Sequence, residues 1–485
     1  MANPLVLPAA APDCKVRGVH HGVPTRREGD SLGEVELPAD CLWGINTARG
    51  LANFPISGRR LADEPELLEA LLQVKRAAAE ANGATGQLAP EQAAALIAAA
   101  DELLAGRHRA AFVVDPLEAS GGTSIHMNVN EVLTNVALLR LGAAPGDYAK
   151  LHPNDHANAA QSTNDVLPSA VVLAARKLAA QAVGGLSRLA ERLDEKALAF
   201  GAIAHLGRTC LMDAQPTTLG RLLGSYASLA WRLAKSLQAQ ADRLLELPLG
   251  GTAVGAGWGS RPGYRARAIA ALRRLTGLRL EPAADPYDAL ANSDGLARLS
   301  AETRTAADAL AKLGQDLHFL AAGPAGGPAE LRLPALQAGS SMMPGKVNPV
   351  MPMLLIEAAA LIEGYNATVA RIASLGQLAI NAYEPALAVS LFAALRLLAR
   401  STTLVAERCI AGLEAAAEHS RAHLLASNAM AVLVQERLGY AATAALVKRA
   451  TAAARTLVDQ AIDEKLLDDQ AVETLLASLA SQGPG

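Results

Sequence analysis

The chain of 485 residues carries a formal net charge of −3, with 51% apolar residues but only 3% aromatics. So balanced a charge offers no broad basic surface for nucleic acid or an anionic bilayer, and no unbroken apolar run approaches the ~18 residues a membrane span needs. The length suits a large core divided among two or three domains, and apolar content made mostly of Ala, Leu and Val favours closely packed helices.

The opening residues, with Pro4, Pro8 and Pro12 and no basic-then-apolar leader pattern, are expected to form a loose tail over 1–26. Gly33–Leu37 reads as a strand, followed by a turn at Pro38-Ala39-Asp40. From Pro65 to Asn82, Leu67, Leu71, Val74 and Ala78 fall at helical spacing, with Gly83 placed to end the helix. Loop signals cluster at Ala119–Ser124, Pro145–Asp147, His152–Asp165 and Arg208–Thr218. Between the last two, Leu186, Leu189, Leu193 and Ala197 mark a long helix. Its paired Gly184 and Gly185 give room for a neighbouring helix, at a propensity cost of roughly 1 kcal/mol each. Further long helices are expected over Ser300–Leu320 and Pro352–Leu375. The second is apolar on most sides, which suits burial among other helices or at a subunit interface. Cys14, Cys41, Cys210 and Cys409 lie far apart without a CxxC pair. That spacing argues against a disulfide framework or zinc site and for a reducing cytoplasm.

The chemistry concentrates in four segments. Gln337–Pro349 reads QAGSSMMPGKVNP and packs two serines, a glycine turn, a lysine and an asparagine into thirteen residues. Glycines let such a loop bring N–H groups and a hydroxyl close to a small anion. Ser120–Glu131 reads SGGTSIHMNVNE, His152–Asp165 reads HPNDHANAAQSTND and Gly207–Gly220 reads GRTCLMDAQPTTLG, each with loop character. LWGINTARGLANF at Leu42–Phe54 and GTAVGAG at Gly251–Gly257 accompany them. In this order and spacing the segments resemble the aspartase/fumarase superfamily, nearest to its aspartate ammonia-lyase and class II fumarase branch, over nearly the whole chain from about residue 27.

The resemblance implies a mainly α, three-domain fold: an N-terminal domain over 27–163, a central long-helix bundle over 164–418 and a small helical domain over 419–485. It further implies a cytoplasmic homotetramer whose active sites are shared between subunits, acting on a small dicarboxylate without metal or organic cofactor. Such enzymes remove a proton beside a carboxylate and expel ammonia, water or a larger amine. By the same resemblance Ser340 is the base, on a mobile loop, and Thr123, Ser162, Thr163, Asn164 and Thr209 grip the carboxylates. Lys346 and Asn348 complete that grip, while Ser124, Cys210 and Arg49 join the substrate pocket. His152, Asn154 and Asp155 match a second anion-binding region of the fumarase branch. The residue types suit the chemistry. A doubly charged aci-carboxylate intermediate needs preoriented donors, each worth about 3 kcal/mol, and a serine becomes basic only where N–H groups and a cation stabilise its alkoxide.

Four positions depart from the family pattern. Cys210 stands where fumarases have His and aspartases His or Gln, and Met353 stands where both usually have Glu. His126 replaces an asparagine, and Gln435-Glu436 replaces an Asn-Pro pair. In fumarases that His and Glu together activate water, so their replacement argues against hydration and for elimination of ammonia from L-aspartate or a related substituted succinate. Rival readings are expulsion of a different amine or nitro group, fumarate hydration, and a homologue that binds without turnover. The retained Ser340, Lys346, Asn348, Thr123 and Asn164 oppose the last. Cys210 as a nucleophile, a metal at His152 and His156, and a phosphate loop at Gly250–Gly257 (no Lys-Ser/Thr follows) are weaker readings. Arg59-Arg60 reads as a solvated face.

Overall fold

The computed structural model describes residues 24–481; Cys14 and all but the last three residues of the expected tail lie outside them. The described chain opens on an antiparallel hairpin, β1 (Thr25–Asp30) with β2 (Gly33–Pro38). It continues through α1 (Ile45–Asn53), α2 (Pro65–Ala84), α3 (Pro90–Leu104), α4 (Thr123–Arg140) and α5 (Thr163–Ala199). A second hairpin, β3 (Ala204–Thr209) with β4 (Met212–Thr218), precedes α6 (Leu219–Ala241), α7 (Tyr264–Thr276) and α8 (Pro286–Ala291). Three long helices follow: α9 (Asp294–Leu320), α10 (Val350–Ala373) and α11 (Glu384–Val405). Five shorter ones close the chain, α12 (Ala417–Ala426), α13 (Ala431–Leu438), α14 (Tyr440–Ala452), α15 (Leu457–Asp463) and α16 (Asp469–Ser481). The fold is mainly α, as the sequence predicts.

Two compact units share this chain. One gathers the described residues up to Ala180 with Gln238–Thr303 and Glu363–Arg396; the other gathers Gln181–Leu237, Arg304–Ile362 and the described residues from Leu397. The helices α5, α6, α9, α10 and α11 each contribute residues to both.

In the first unit, α4 organises the N-terminal segment through the buried carboxylate of Glu131. That group accepts from the backbone N–H of Gly44 (2.8 Å), Asn46 (2.8 Å) and Thr47 (3.1 Å) and from the Thr47 hydroxyl (2.6 Å). Three N-terminal N–H groups of α1 are thereby satisfied inside the protein. Gly83 does not end α2 as its sequence position suggests. A Cβ there would lie 2.8 Å from Ala93 Cβ, so its bareness serves the approach of α3, and the helix runs on to Ala84. Arg59 also departs from the solvated-face reading, since it pairs with the fully buried Glu64.

Two of the segments read as loops are regular structure. In SGGTSIHMNVNE only Ser120 and the two glycines are irregular, Gly121 and Gly122 taking φ of +67° and +88°; α4 begins at the next residue and buries everything from Ser124 to Leu138. GRTCLMDAQPTTLG is mostly the β3–β4 hairpin, its polar and Pro-containing run held by cross-strand pairing. This hairpin and α12–α16 enclose a satellite core of Leu206, Leu424, Met430, Leu433, Leu446 and Leu457 in the second unit.

Among the described residues, three helices, Thr163–Ala199, Val350–Ala373 and Glu384–Ile410, are long and apolar enough to cross a membrane by length and composition, contrary to the expectation from unbroken runs. Alanine explains the difference, since it raises the average while scattered polar residues interrupt every run. The apolar windows of the first and third are mostly buried within the chain, whereas that of α10 is only 28% buried.

The paired glycines of α5 have opposite surroundings. A Cβ on Gly185 would lie 2.8 Å from the Ala399 carbonyl and 2.3 Å from Thr402 Oγ1 of α11, whereas one on Gly184 meets nothing within 4 Å. Gly185→Ala should therefore lower stability by about 1–3 kcal/mol through overpacking, while Gly184→Ala should raise it by up to about 1 kcal/mol through helix propensity. Thermal or urea unfolding of the two variants reads the contrast, and equal shifts would refute it.

Candidate active site

The expected site residues fall into two groups, one in each compact unit. In the first unit the N-termini of α4 and α5 meet. A Cβ at Gly122 would lie 2.2 Å from Leu167 Cδ2 and 3.3 Å from Thr163 Cγ2, so glycine in the left-handed region is what lets the two helix starts close on each other. Thr123 opens α4 and is exposed; Ser124 is buried, its N–H donating to Ser120 Oγ at 3.0 Å. Before α5, Ser162 donates its N–H to Asp165 Oδ1 (2.9 Å) and accepts from the Asn164 N–H at its Oγ (3.2 Å). Two helix N-termini with hydroxyls at their rims make an anion-favouring corner.

Asp165 fixes that corner to the glycine-rich segment. Its second oxygen accepts from the N–H of Gly250 and Thr252, both at 2.9 Å, while Asn164 Nδ2 reaches the Ala253 carbonyl at 2.8 Å. Burial pushes the carboxyl up to about 6, against the pull of its N–H donors. Lys75 of α2 is also fully buried, with Nζ donating to Gln161 Oε1 (2.9 Å) and Asn158 Oδ1 (3.2 Å) in the turn before Ser162. Burial holds its ammonium well below the usual lysine range, and Asp165 offsets this only in part. His126, buried in α4, places Nδ1 2.8 Å from Thr163 Oγ1. Sequence reasoning missed Asp165 and Lys75 as organisers. The signal for Lys75 was present: it shares a helical face with Leu67, Leu71 and Ala78, where a charge is out of place.

Other expected residues are engaged elsewhere. Arg49 grips both oxygens of Asp30 at 2.6 Å, so its guanidinium serves the β1–α1 region. His152 Nδ1 accepts from the N–H of Asn154 (3.2 Å) and Asp155 (3.3 Å), capping the single turn Pro153–Ala157, and His156 Nδ1 accepts from the His152 N–H at 2.7 Å. Both rings thus have a local structural task.

In the second unit, Ser340, Lys346 and Asn348 share one loop with a pinned neck. Gly339 N–H donates to the Lys346 carbonyl at 2.7 Å, and Asn348 Nδ2 donates to the Gly339 carbonyl at 3.0 Å. At its head, Ser340 Oγ accepts from two backbone N–H groups, Met342 at 3.1 Å and Met343 at 3.0 Å. The Lys346 residue borders a cavity of about 800 Å³ that Asn348, His318, Arg332 and His419 also line. Thr209 ends β3, paired with Met212, so Cys210 and Leu211 form a two-residue hairpin loop. Both have positive φ, +53° and +62°, a type I′ geometry that Asn-Gly would adopt at less cost. Thr209, Cys210 and Leu211 are all exposed. Strain of this kind is retained where a position is fixed by something besides local stability.

The hairpin is anchored through Arg208. Its guanidinium meets the buried carboxylate of Glu330 at 2.6 Å and 3.3 Å, and His205 Nδ1 and His423 Nδ1 approach the same carboxylate at 2.8 Å.

A family described as lyase matches residues 33–364. Class II fumarate hydratase of Mycobacterium tuberculosis is 40% identical over 92% of each chain. Aspartate ammonia-lyase of Pseudomonas aeruginosa is 37% identical over 93% of this chain and 96% of its own. The crystal structure titled fumarate lyase:delta crystallin from Brucella melitensis, bound to cobalt, has a TM-score of 0.91 at 39% identity, covering 95% of this chain and 100% of that one. The class II fumarase of Schistosoma mansoni gives 0.85 at 31% identity, covering 93% and 98%. The chain belongs to the aspartase/fumarase superfamily of lyases. Relatives bearing both activities match it, so membership alone leaves the leaving group open.

Glu330 yields a test of the hairpin anchor. Burial alone would raise its carboxyl, but hydrogen bonds from His205, Arg208 and His423 outweigh that and hold it at about 2. A depressed folded value stabilises above the unfolded value near ~4.3 and loses that contribution as pH falls toward 2. Glu330→Gln should cost about 3 kcal/mol at pH 7, as expected for breaking a buried charge cluster. The gap to the parent protein should narrow between pH 5 and about 2. Urea titrations across that range check it; a gap independent of pH would contradict the assignment.

Proposed function

We propose that the chain is a carbon–nitrogen lyase that eliminates ammonia from L-aspartate, or an amine from a closely related substituted succinate, to give fumarate. The observation that carries the reading is the environment of Ser340, whose oxygen accepts two backbone N–H groups on a glycine-bearing loop. Donors aimed at an oxygen stabilise its anionic form and lower its proton affinity. Ser340 is thereby suited to take the β-proton as an alkoxide, with the Lys346 ammonium on the same loop adding positive charge.

The other half of the task is holding a dicarboxylate and the charge that develops on it. Thr123, Ser124, Ser162, Thr163 and Asn164 stand at two helix N-termini, where the partial positive charge of the helix ends and the hydroxyls at their rims favour carboxylate. Thr209, Cys210 and Asn348 complete the pocket in this reading, with Arg49 left to Asp30. As the proton leaves, the carboxylate becomes an aci-carboxylate, and these fixed donors are worth about 3 kcal/mol each at that point. Collapse of the intermediate forms the Cα=Cβ double bond of fumarate and expels the amino group from the α-carbon with the C–N electron pair. The site assembles from loops of different subunits of a homotetramer, a reading supported by the apolar, little-buried α10, where Leu361 is 56% and Met353 39% exposed.

Fumarate hydration is the second reading, favoured by the fumarate hydratase relatives. Against it, Cys210 and Met353 stand where fumarases carry the His and Glu that activate water. The two separate by ultraviolet detection of fumarate from L-aspartate, malate and a panel of N-substituted aspartates. Turnover of aspartate supports the first reading, of malate alone the second, and of a substituted analogue alone a specialised amine lyase. Ser340→Ala should lower kcat by about a hundredfold or more without changing the oligomer on a sizing column; near-normal turnover would remove Ser340 from the base role.

A further inference from the structure

His126 is the one departure from the family pattern that lies in the anion-favouring corner of the first unit and has no place in the mechanism above. It is 1% exposed, Nδ1 lies 2.8 Å from Thr163 Oγ1, and Nε2 is buried with no hydrogen-bond partner among the described residues. Thr163 is the first residue of α5, where its hydroxyl stands at the rim of the helix N-terminus. Its direction therefore decides whether the threonine offers a carboxylate a proton or a lone pair.

We propose that His126 is a positioning residue for Thr163: its Nδ1–H donates to Oγ1, so that the threonine's own proton points to a carboxylate bound at the start of α5. The assignment follows from the two ring nitrogens. A neutral imidazole carries one proton, on Nδ1 or on Nε2. On Nε2 it would be a buried donor with no acceptor, and Nδ1 would then take the Thr163 proton away from any ligand. On Nδ1 it finds the threonine oxygen, and only a lone pair is left unpaired, the less costly defect because orphaned N–H groups are the rarer in proteins. Neutrality is consistent with the surroundings, since burial first and the nearby Lys75 second hold the ring well below the usual histidine range. A protonated ring would also donate to Thr163, but would place a second buried cation beside Lys75. The charged and titratable groups around this corner include Lys75, Asp165, Tyr264 beside Asp165, and the buried Glu118; Asp165 is already committed to backbone N–H groups of Ser162, Gly250 and Thr252, and Glu118 to the N–H and hydroxyl of Ser120.

This inference rests on dicarboxylate binding at the corner, but its first test does not. Neutron diffraction from deuterium-exchanged crystals near pD 7 should show deuterium on Nδ1 of His126 and none on Nε2; deuterium on Nε2 would overturn the proposal. The second test is a double-mutant cycle read by calorimetric fumarate binding. His126→Ala and Thr163→Ala should each weaken binding about tenfold, the scale of one hydrogen bond to a charged group. With Thr163→Ala in place, His126→Ala should add less than about threefold. Losses that multiply would show that His126 acts elsewhere. A protein that carries deuterium on Nδ1 yet binds no dicarboxylate would defeat the functional reading and leave the tautomer standing.

Discussion

The buried carboxylate of Asp165 is the constraint on which the candidate residues of the first unit depend. It receives the N–H of Ser162 through one oxygen and those of Gly250 and Thr252 through the other. Ser162 and Thr163 are thus placed by a group that does not itself face the ligand corner. The carboxyl is lifted to about 6 by its burial, so this arrangement is held against a desolvation cost. Local helix preference alone would leave the residues before α5 free to fray. Three charge-assisted bonds remove that freedom.

A similar logic recurs around it. Glu131 satisfies the start of α1, and Lys75 ties α2 to the turn carrying Asn158 and Gln161. In the second unit Glu330 gathers Arg208, His205 and His423. Each is a buried ionisable group that spends its charge on backbone donors or neighbouring side chains rather than on catalysis. Buried charges of this kind add little net stability over apolar substitutes, but removing one partner is severe. They specify position, which is what preorganised donors for a developing charge require.

Much of the helical scaffold was legible because its apolar residues recur at helical spacing: α2, α5, α9 and α10 lie close to where Leu67–Ala78, Leu186–Ala197 and the two later runs placed them. Gly185 was legible for the same reason, as a bare position facing a neighbour. The failures have a common source. Gly207–Gly220 is rich in Gly, Thr, Pro and Asp, which local propensity reads as loop, and Thr123–Glu131 is read together with the irregular Ser120–Gly122 that precedes it. Tertiary contacts override it, with α4 starting directly after Gly122 and cross-strand pairing holding the hairpin. Composition names a residue's local preference and is silent on partners distant in sequence. Asp165 finds Gly250 and Thr252, and Arg208 finds Glu330, only once the chain is folded.

The two groups of candidate residues are built by different means, and the difference suits the task proposed for each. The anion corner must be rigid, because donors that reorganise during reaction lose most of their value. Accordingly it is made of helix N-termini locked by buried groups, with Gly122 stripped of a Cβ so that the helices can meet. In the proposed reaction the base meets a carbon-bound proton and then releases it, and the residue proposed for it, Ser340, sits on an exposed loop pinned at its neck by Gly339, Lys346 and Asn348. The two N–H donors travel with the serine, because they belong to Met342 and Met343 of the same loop. The feature that stabilises the serine's alkoxide is therefore part of the loop itself. A side-chain donor from elsewhere in the fold could not provide that, so the local N–H pair links the sequence of the loop most directly to its proposed chemistry.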